Sequence, residues 1–179
     1  MFQIRIHGRG GQGVVTAAEL IAIAAFNGGK HSQAFPSFGV ERTGAPIEAY
    51  ARIDDKPIRT REHVYKPNVL IIQDATLLGA VDVARGADKK TLMIINTSKT
   101  KEQIKNLKIN LPEKNIYLID ATKIALDIIG KNLANTVILG AFAKATGLVS
   151  LESLKKAIKQ KFIEKGKEIV NKNIKAIEK

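Results

Sequence analysis

The sequence predicts an α/β fold, Rossmann-like and doubly wound, whose mostly parallel sheet carries an antiparallel hairpin at one edge. Three apolar runs that end in an acid or an amide indicate buried parallel strands: VLIIQD, TLMIIN and IYLID, at residues 69–74, 91–96 and 116–120. Segments suited to helices alternate with these runs, which is the order of a doubly wound sheet. A chain of 179 residues is long enough for one core, so we expect a single domain over residues 1–179.

The first strand and first helix are predicted from two different periodicities. FQIRIH, at residues 2–7, alternates apolar and polar side chains, as a strand does. VVTAAELIAIAAF, at residues 14–26, is apolar on most sides, which is typical of a helix buried against a sheet. Further helices are predicted at residues 75–84, 99–107, 121–130, 135–147 and from 151 to the end.

Two segments lie between the first helix and the apolar run at residues 69–74, one with the alternation of a strand and one without a regular pattern. Residues 46–54 alternate strictly, and with the DDKP turn and IRTR at 58–61 they predict a half-exposed hairpin. Residues 31–46 hold two prolines, two glycines and no helical period, so we expect a long irregular loop. Loops of that length in a compact domain are commonly functional or contact a partner.

Polar residues close the predicted parallel strands at Asp74, Asn96 and Asp120. Ligands of open α/β sheets bind at the carboxyl ends of the strands, so these side chains are candidates for ligand contact. Asp and Asn are equally good helix N-caps, and the sequence leaves both interpretations open.

Glycines at positions 8, 10 and 13 have the spacing G-x-G-x-x-G between the first strand and the first helix. In that position the motif binds a dinucleotide pyrophosphate, another phosphate group, or no ligand where the glycines only permit tight packing. A nicotinamide site also requires an acid about 20 residues further on to hold the ribose. HSQAF stands there without an acid, which weakens the dinucleotide interpretation, whereas Arg9 inside the loop suits a phosphate.

Composition excludes several kinds of site. The chain has no cysteine, so it forms no disulfide and ligates no iron–sulfur cluster through cysteine, and its three histidines show no metal-binding spacing. The formal net charge of +12 raises a nucleic-acid-binding module as an alternative. Nine lysines alternate with four glutamates in residues 151–179, which favours solvated helix faces instead. The chain has no membrane-length apolar run and no room for a signal peptide before Phe2, so we expect a cytoplasmic protein.

Two coupled stretches carry a resemblance to a known family. RGGQGVVTAAELIAIAA, followed by PSFGVERTGAPIEAYARI, resembles the gamma subunit of the 2-oxoacid:ferredoxin oxidoreductases, above all the pyruvate type and its pyruvate/2-ketoisovalerate relatives. The resemblance continues through YKPNVLIIQDATLL and NTVILGAFAKATGLVS, and so spans nearly the whole chain.

That resemblance implies an activity shared among several subunits. The family interconverts pyruvate and coenzyme A (CoA) with acetyl-CoA and CO2, and it passes electrons to ferredoxin. Thiamine diphosphate, Mg²⁺ and [4Fe–4S] clusters are expected in the alpha, beta and delta subunits, and the gamma chain helps to enclose CoA. The resemblance implies no catalytic residue, metal site, nucleic-acid partner or membrane partner for this chain, and it leaves open which 2-oxoacid is used.

The resemblance also implies two groups of site residues. The candidate cradle for the CoA phosphates consists of Gly8, Arg9, Gly10, Gly11, Gln12 and Gly13. The candidate second wall, or subunit interface, consists of Ser37, Phe38, Gly39, Glu41, Arg42 and Thr43. The family often carries a second basic residue where this chain has Thr43.

Overall fold

The computed structural model describes residues 1–37, 43–104 and 109–179. Its strands form one six-stranded sheet in the order β2-β3-β1-β4-β5-β6. Their bounds are β1 Phe2–Arg9, β2 His31–Pro36, β3 Pro46–Asp54, β4 Val69–Ile72, β5 Leu92–Asn96 and β6 Ile116–Ile119. Strands β1, β4, β5 and β6 are parallel, whereas β3 pairs antiparallel with β1 and with β2. The predicted fold class, a mostly parallel α/β sheet with an antiparallel edge, is confirmed.

Six α-helices lie within the described ranges, together with short 3₁₀ turns at Ala75–Gly79, Glu113–Asn115 and Ile163–Lys165. The helices are α1 Val14–Asn27, α2 Lys101–Ile104, α3 Ala121–Ile129, α4 Ala134–Thr146, α5 Leu151–Phe162 and α6 Lys167–Ile177. None of these described helices is long and apolar enough to span a bilayer.

Apolar side chains are buried on both faces of the parallel strands. Alternate residues of β4 show this directly, because Ile71 packs with the core that includes α1, α4 and α5, whereas Leu70 packs with the smaller core that includes Ile104 of α2. Side chains alternate between the faces of a strand, so burial on both sides requires a continuous apolar run. The VLII run of β4 therefore has the pattern that its position demands.

The antiparallel part of the sheet differs from the predicted hairpin. The prediction that residues 58–61 return as the second strand is wrong, because β3 pairs with β1 and with β2 instead. Residues 31–36 are themselves a strand, so the irregular loop predicted from residue 31 is wrong over that stretch. β2 is half-buried, ends in a proline and is held in the sheet by pairing with β3, so its local sequence carries little strand signal.

Two predicted helices also require correction. Residues 75–84 form a 3₁₀ turn at Ala75–Gly79 followed by irregular chain, and not an α-helix. The Asp74 carboxylate caps that turn by accepting from the Thr76 backbone N–H at 3.0 Å. In residues 99–107 helix α2 covers Lys101–Ile104, and residues 105–107 lie outside the described part of the chain.

A buried polar cluster fills the face of the antiparallel strands that no helix covers. Arg5 is fully buried and donates to the backbone carbonyls of Val64 at 3.0 Å and Val83 at 3.1 Å. Its Nε also donates to His7 Nε2 at 3.1 Å, so the proton of the neutral imidazole lies on Nδ1, which faces Glu48 at 3.5 Å. The arginine thus ties two irregular segments to the sheet through their carbonyls.

Candidate ligand-binding site at the carboxyl edge of the sheet

The glycine motif forms a compact loop between β1 and α1. The Gly10 N–H donates to the Ala45 carbonyl at 2.9 Å, and the Gln12 N–H donates to the Arg9 carbonyl at 3.0 Å. The Gln12 side chain folds back, so that its Oε1 accepts from the Arg9 N–H at 2.8 Å. The N–H groups of Gly11 and Gly13 have no hydrogen-bond partner among the described residues. They lie at the N-terminal end of α1, where a helix favours anions.

Two of the glycines are required by packing. A Cβ added to Gly8 would lie 2.5 Å from Val14 Cγ2, and a Cβ added to Gly13 would lie 2.4 Å from Asn135 Nδ2. Gly13 also has a φ of +71°, in the left-handed region that favours glycine. The packing interpretation therefore holds for Gly8 and Gly13. It does not hold for Gly11, which is exposed and has no neighbour closer than 4.0 Å to an added Cβ.

Arg9 is held by protein groups on both sides of the loop. Its Nε donates to Asp74 Oδ2 at 3.1 Å, its Nη1 to the Gly44 carbonyl at 3.0 Å and its Nη2 to Thr76 Oγ1 at 2.8 Å. Three of its five N–H donors are therefore committed within the chain. Arg9 braces the loop, and its side chain stays partly exposed at 30 %.

Asp74 is the acceptor around which the loop is organised. Its Oδ2 accepts from Arg9 and, at 2.9 Å, from Gln12 Nε2. Burial alone would raise the pKa of Asp74, but hydrogen bonds from Thr76 and Gln12 and the charge of Arg9 outweigh it, so this pKa lies below its ordinary value. The carboxylate is therefore charged at neutral pH.

The second predicted loop lies against the first where it is described. Thr43 forms an isolated bridge with Gly10, and the Gly44 N–H donates to the Gly10 carbonyl at 3.1 Å. Ser37 lies further out, where its N–H donates to the Glu48 carbonyl at 3.0 Å. The other predicted members of this wall lie outside the described residues: Phe38, Gly39, Glu41 and Arg42.

A polar pocket of about 230 Å³ opens beside the glycine loop. We call it the amide pocket, because five of its nine lining residues carry side-chain amides: Gln12, Gln73, Asp74, Ala75, Asn96, Thr122, Asn132, Ala134 and Asn135. A shallower pocket of about 440 Å³ shares Ala75, Asn96 and Thr122 with it, and so continues the groove along the carboxyl edge of β5 and β6. Lys123 is the only lysine or arginine among the described residues that line either pocket.

The polar residues that close the parallel strands have two roles, capping a helix or turn and lining the groove. Asp120 caps α3 by accepting from the Lys123 N–H at 2.9 Å. Asn96 instead crosses between elements, because its Nδ2 donates to the Gln73 carbonyl and to Thr122 Oγ1, both at 2.9 Å. Asp74 caps a 3₁₀ turn and also lines the amide pocket. The two interpretations that the sequence left open are therefore not exclusive, because Asp74 and Asp120 each act as a cap and also line the groove.

Sequence reasoning missed Gln73 and Asn135. Gln73 precedes Asp74 directly, and a glutamine that closes a fully apolar strand was an available signal. Asn135 lies near the start of α4, 122 positions from Gly13, whose carbonyl accepts from its Nδ2 at 3.3 Å. No local pattern links residues so far apart, so only the fold reveals that contact.

The sheet order argues against a dinucleotide site of the nicotinamide type. In such sites the acid that holds the ribose closes the strand that follows the first helix, and that strand pairs parallel with β1. Here β3 lies between β1 and β2, and β3 runs antiparallel to β1. The carboxyl end of β3 therefore lies at the opposite edge of the sheet from the glycine loop.

Comparison with known proteins agrees with this architecture. The chain matches the family described as "Pyruvate ferredoxin/flavodoxin oxidoreductase" over residues 3–179. It is 55% identical over 159 residues to "Pyruvate synthase subunit PorC" of Methanosarcina barkeri, covering 89% of this chain and 85% of the relative. It is 54% identical over 162 residues to "Pyruvate/ketoisovalerate oxidoreductases common subunit gamma" of Thermococcus kodakarensis, covering 90% and 87%.

Solved structures agree as well. The crystal structure of pyruvate oxidoreductase subunit PORC from Thermotoga maritima matches with a TM-score of 0.81 and 37% identity, covering 98% of this chain and 92% of that one. A 2-oxoglutarate:ferredoxin oxidoreductase from Magnetococcus marinus, at 20% identity and a TM-score of 0.80, shows the same fold within 30% of its chain. The chain belongs to the pyruvate ferredoxin/flavodoxin oxidoreductase family, as a gamma-type subunit of a multi-subunit oxidoreductase.

Proposed function

We propose that this chain is the non-catalytic gamma subunit of a pyruvate synthase that converts pyruvate, CoA and oxidised ferredoxin to acetyl-CoA, CO2 and reduced ferredoxin. Its role is to bind and enclose CoA and to complete the assembly as one domain over residues 1–179. The names of the relatives from Methanosarcina barkeri and Thermococcus kodakarensis support the pyruvate reaction. The second name leaves 2-ketoisovalerate as a further substrate of the complex.

The glycine loop carries the proposal for CoA. The N–H groups of Gly11 and Gly13 have no partner in the described part of the chain; Gly13 caps a 14-residue helix and Gly11 lies two residues before that cap. Unpaired N–H groups at such an end bind phosphate oxygens, and the two Arg9 donors that have no partner among the described residues can add to them. The loop Gly8–Gly13 is therefore the phosphate cradle, with Thr43 and the segment around Ser37 as its outer wall or as a subunit contact.

The redox and carbon chemistry belong to the partner subunits in this proposal. A chain without cysteine offers no thiolate to an iron–sulfur cluster. Thiamine diphosphate, Mg²⁺ and [4Fe–4S] clusters are accordingly assigned to the alpha, beta and delta subunits, through which ferredoxin is reduced in the cytoplasm. No residue of this chain is proposed as a base or a nucleophile. The two rival hypotheses, a self-contained dinucleotide enzyme and a nucleic-acid-binding module, gain no support from the comparisons.

Reconstitution of the complex tests the proposal. The chain is co-expressed with the alpha, beta and delta subunits, and acetyl-CoA synthesis is followed with ferredoxin as electron acceptor. We expect Arg9→Ala to raise the KM for CoA more than the KM for pyruvate, because the loop contacts only CoA. Arg61→Ala, at an exposed position on the chain that follows β3, is the control and should change neither KM.

Two outcomes count against the proposal at different levels. An unchanged KM for CoA in Arg9→Ala would remove the cradle and leave a role in assembly. Failure of the chain to co-purify with the other subunits, together with full acetyl-CoA synthesis in its absence, would overturn the proposal as a whole.

A further inference from the structure

Gln73 carries a buried side-chain amide that the chain itself does not satisfy. The residue follows β4 and is only 4% exposed, while its backbone N–H donates to the His7 carbonyl at 2.8 Å. Neither Oε1 nor Nε2 has a hydrogen-bond partner among the described residues. Buried polar groups are paired in the great majority of cases, and leaving one unpaired costs stability. A fold that keeps this amide unpaired points to a ligand group that pairs with it.

The surroundings of Gln73 restrict the charge of that ligand. Gln73 lines the amide pocket together with Gln12, Asn132 and Asn135, none of which carries a charge. Asp74 is the one ionised residue of the lining, and its depressed pKa keeps it negative. Among the described residues no lysine or arginine lines this pocket, and the charge of Asp74 is paired with Arg9 of the glycine loop, whose Nε lies 3.1 Å from Oδ2. Because the described lining consists mainly of amides and an already paired carboxylate and contributes no cation, it suits a neutral polar group better than a phosphate.

The geometry of an amide restricts the ligand further. A glutamine presents an acceptor oxygen and a donor NH2 side by side in one plane. Its best partner offers the complementary pair, as when a glutamine binds adenine through N6 and N7, or when two amides bind each other. The volume of about 230 Å³ is below that of pockets for whole drug-sized ligands, and so suits one such group.

We infer that the amide pocket binds a neutral planar group with an adjacent donor and acceptor, either the adenine or an amide of the pantetheine arm of CoA, and not its phosphates. The identity of the whole ligand as CoA rests on the proposed function. The preference for a neutral planar group is argued from the residues that line the pocket. The glycine loop then binds the phosphates on the side of Gly11. The amide pocket binds the adjoining adenine or pantetheine amide on the side of Asn135.

Nuclear magnetic resonance of the full chain tests this inference with three separate probes. Adenosine, pantetheine and inorganic phosphate are titrated at constant ionic strength, and the side-chain NH2 signal of Gln73 is followed. We expect adenosine or pantetheine to shift this signal saturably, which identifies adenine or the pantetheine amide as the occupant. We expect phosphate to leave it unmoved.

Two glutamine variants sharpen the test. Both variants remove the Gln73 NH2 signal, so binding is followed through the backbone N–H signals of the residues that line the pocket. Gln73→Leu should weaken binding of the active neutral probe at least tenfold, and Gln73→Glu, which keeps the size of the side chain, should weaken it similarly. Gln160→Leu is the matched control, because Gln160 lies on α5, far from the pocket. Its Oε1 accepts from Asn27 Nδ2 at 3.2 Å, at the C-terminal end of α1. The control should bind the probe as the unchanged chain does.

The outcomes separate this inference from the proposed function. If neither neutral probe moves the Gln73 signal, or if phosphate moves it saturably, the inference is overturned. If a neutral probe binds but Arg9→Ala leaves the KM for CoA of the assembled complex unchanged, the phosphate cradle is contradicted and the amide pocket is supported. If the KM responds to Arg9 but no neutral probe binds, only the amide pocket fails.

Discussion

Arg9 and Asp74 join the ends of β1 and β4 through a hydrogen-bonded ion pair, with Nε of Arg9 3.1 Å from Oδ2 of Asp74. The pair lies at the carboxyl edge of the sheet. There β1 is the boundary strand, because it pairs antiparallel with β3 on one side and parallel with β4 on the other. Gln12 donates to the same carboxylate oxygen at 2.9 Å, so one acid positions the charge and the amide of the glycine loop together. The shape of the loop therefore depends on Asp74 as much as on its glycines.

Asp74→Ala should lower the free energy of unfolding at pH 7 by about 1.5–3 kcal/mol, because hydrogen bonds to the charged carboxylate are lost. The pKa of Asp74 is depressed in the folded chain, so this contribution is complete above the ordinary carboxyl pKa and disappears as pH falls through the folded value. Urea unfolding at pH 7 and at pH 3 measures it. The difference from the unchanged chain should shrink at pH 3.

Asp127→Ala provides the comparison, since Asp127 is exposed on α3. It should change the free energy of unfolding by no more than about 0.5 kcal/mol. An equal loss of stability in the two variants would contradict the bracing role of Asp74.

His7 should make the fold sensitive to mild acid. Burial, assisted by the charges of Arg5 and Arg85 and opposed by Glu48, lowers the pKa of His7 to about 4 from 6.5. The unfolded chain therefore binds a proton that the folded chain does not, and stability falls as pH drops from about 6.5 to about 4. At 1.36 kcal/mol per pKa unit the loss is about 3 kcal/mol at most.

His7→Gln should flatten that slope, as measured by urea midpoints across pH 4–7. His31→Gln, at an exposed position on β2, serves as the matched histidine control and should keep the slope of the unchanged chain. A slope that survives in His7→Gln would mean that other groups produce it.

Gly13→Ala should be much more damaging than Gly11→Ala. Both glycines have a positive φ, of +71° and +92°, so each alanine costs about 1–2 kcal/mol in backbone strain. At Gly13 the new Cβ also meets Asn135 at 2.4 Å, which adds about 1–3 kcal/mol of overpacking, whereas at Gly11 the nearest atom is 4.0 Å away. Thermal and urea unfolding of both variants measures the difference.

A second substitution isolates the clash. Asn135→Ala added to Gly13→Ala should recover the overpacking part of the loss and leave the strain. Absence of any recovery would show that the contact between Gly13 and Asn135 is not the cause.

Gln73→Leu should stabilise the unliganded chain. Replacing the unpaired buried amide by an apolar group of similar size removes a desolvation cost of about 1–3 kcal/mol, so the urea midpoint should rise. Gln33→Leu is the contrasting variant, because Oε1 of Gln33 accepts from Arg52 at 3.3 Å and its loss should lower the midpoint. A lower midpoint in Gln73→Leu would show that the amide is paired in solution.

The parallel half of the sheet could be predicted closely because each of its strands has a recognisable pattern in its own local sequence. The run VLII of β4 is apolar on both faces, and a segment of that kind has no stable place outside a covered sheet. The glycine loop could also be located from its spacing between a strand and a helix. The hydrogen bonds that stabilise the loop could not be predicted, because Arg9 donates to Asp74, Gly44 and Thr76, which are 35 to 67 residues away in the sequence.

The sequence by itself determined the fold class, the edge of the sheet where the glycine loop lies, and the family to which the chain belongs. Each of these depends on periodicity or spacing over a few neighbouring residues. Only the tertiary structure decided that β2 joins the sheet through β3, that Gly13 packs on Asn135, and that the Gln73 amide is buried without a hydrogen-bond partner among the described residues. Those features depend on pairing and burial between distant segments, whose energies are set by which groups meet after folding and not by the local sequence of either partner.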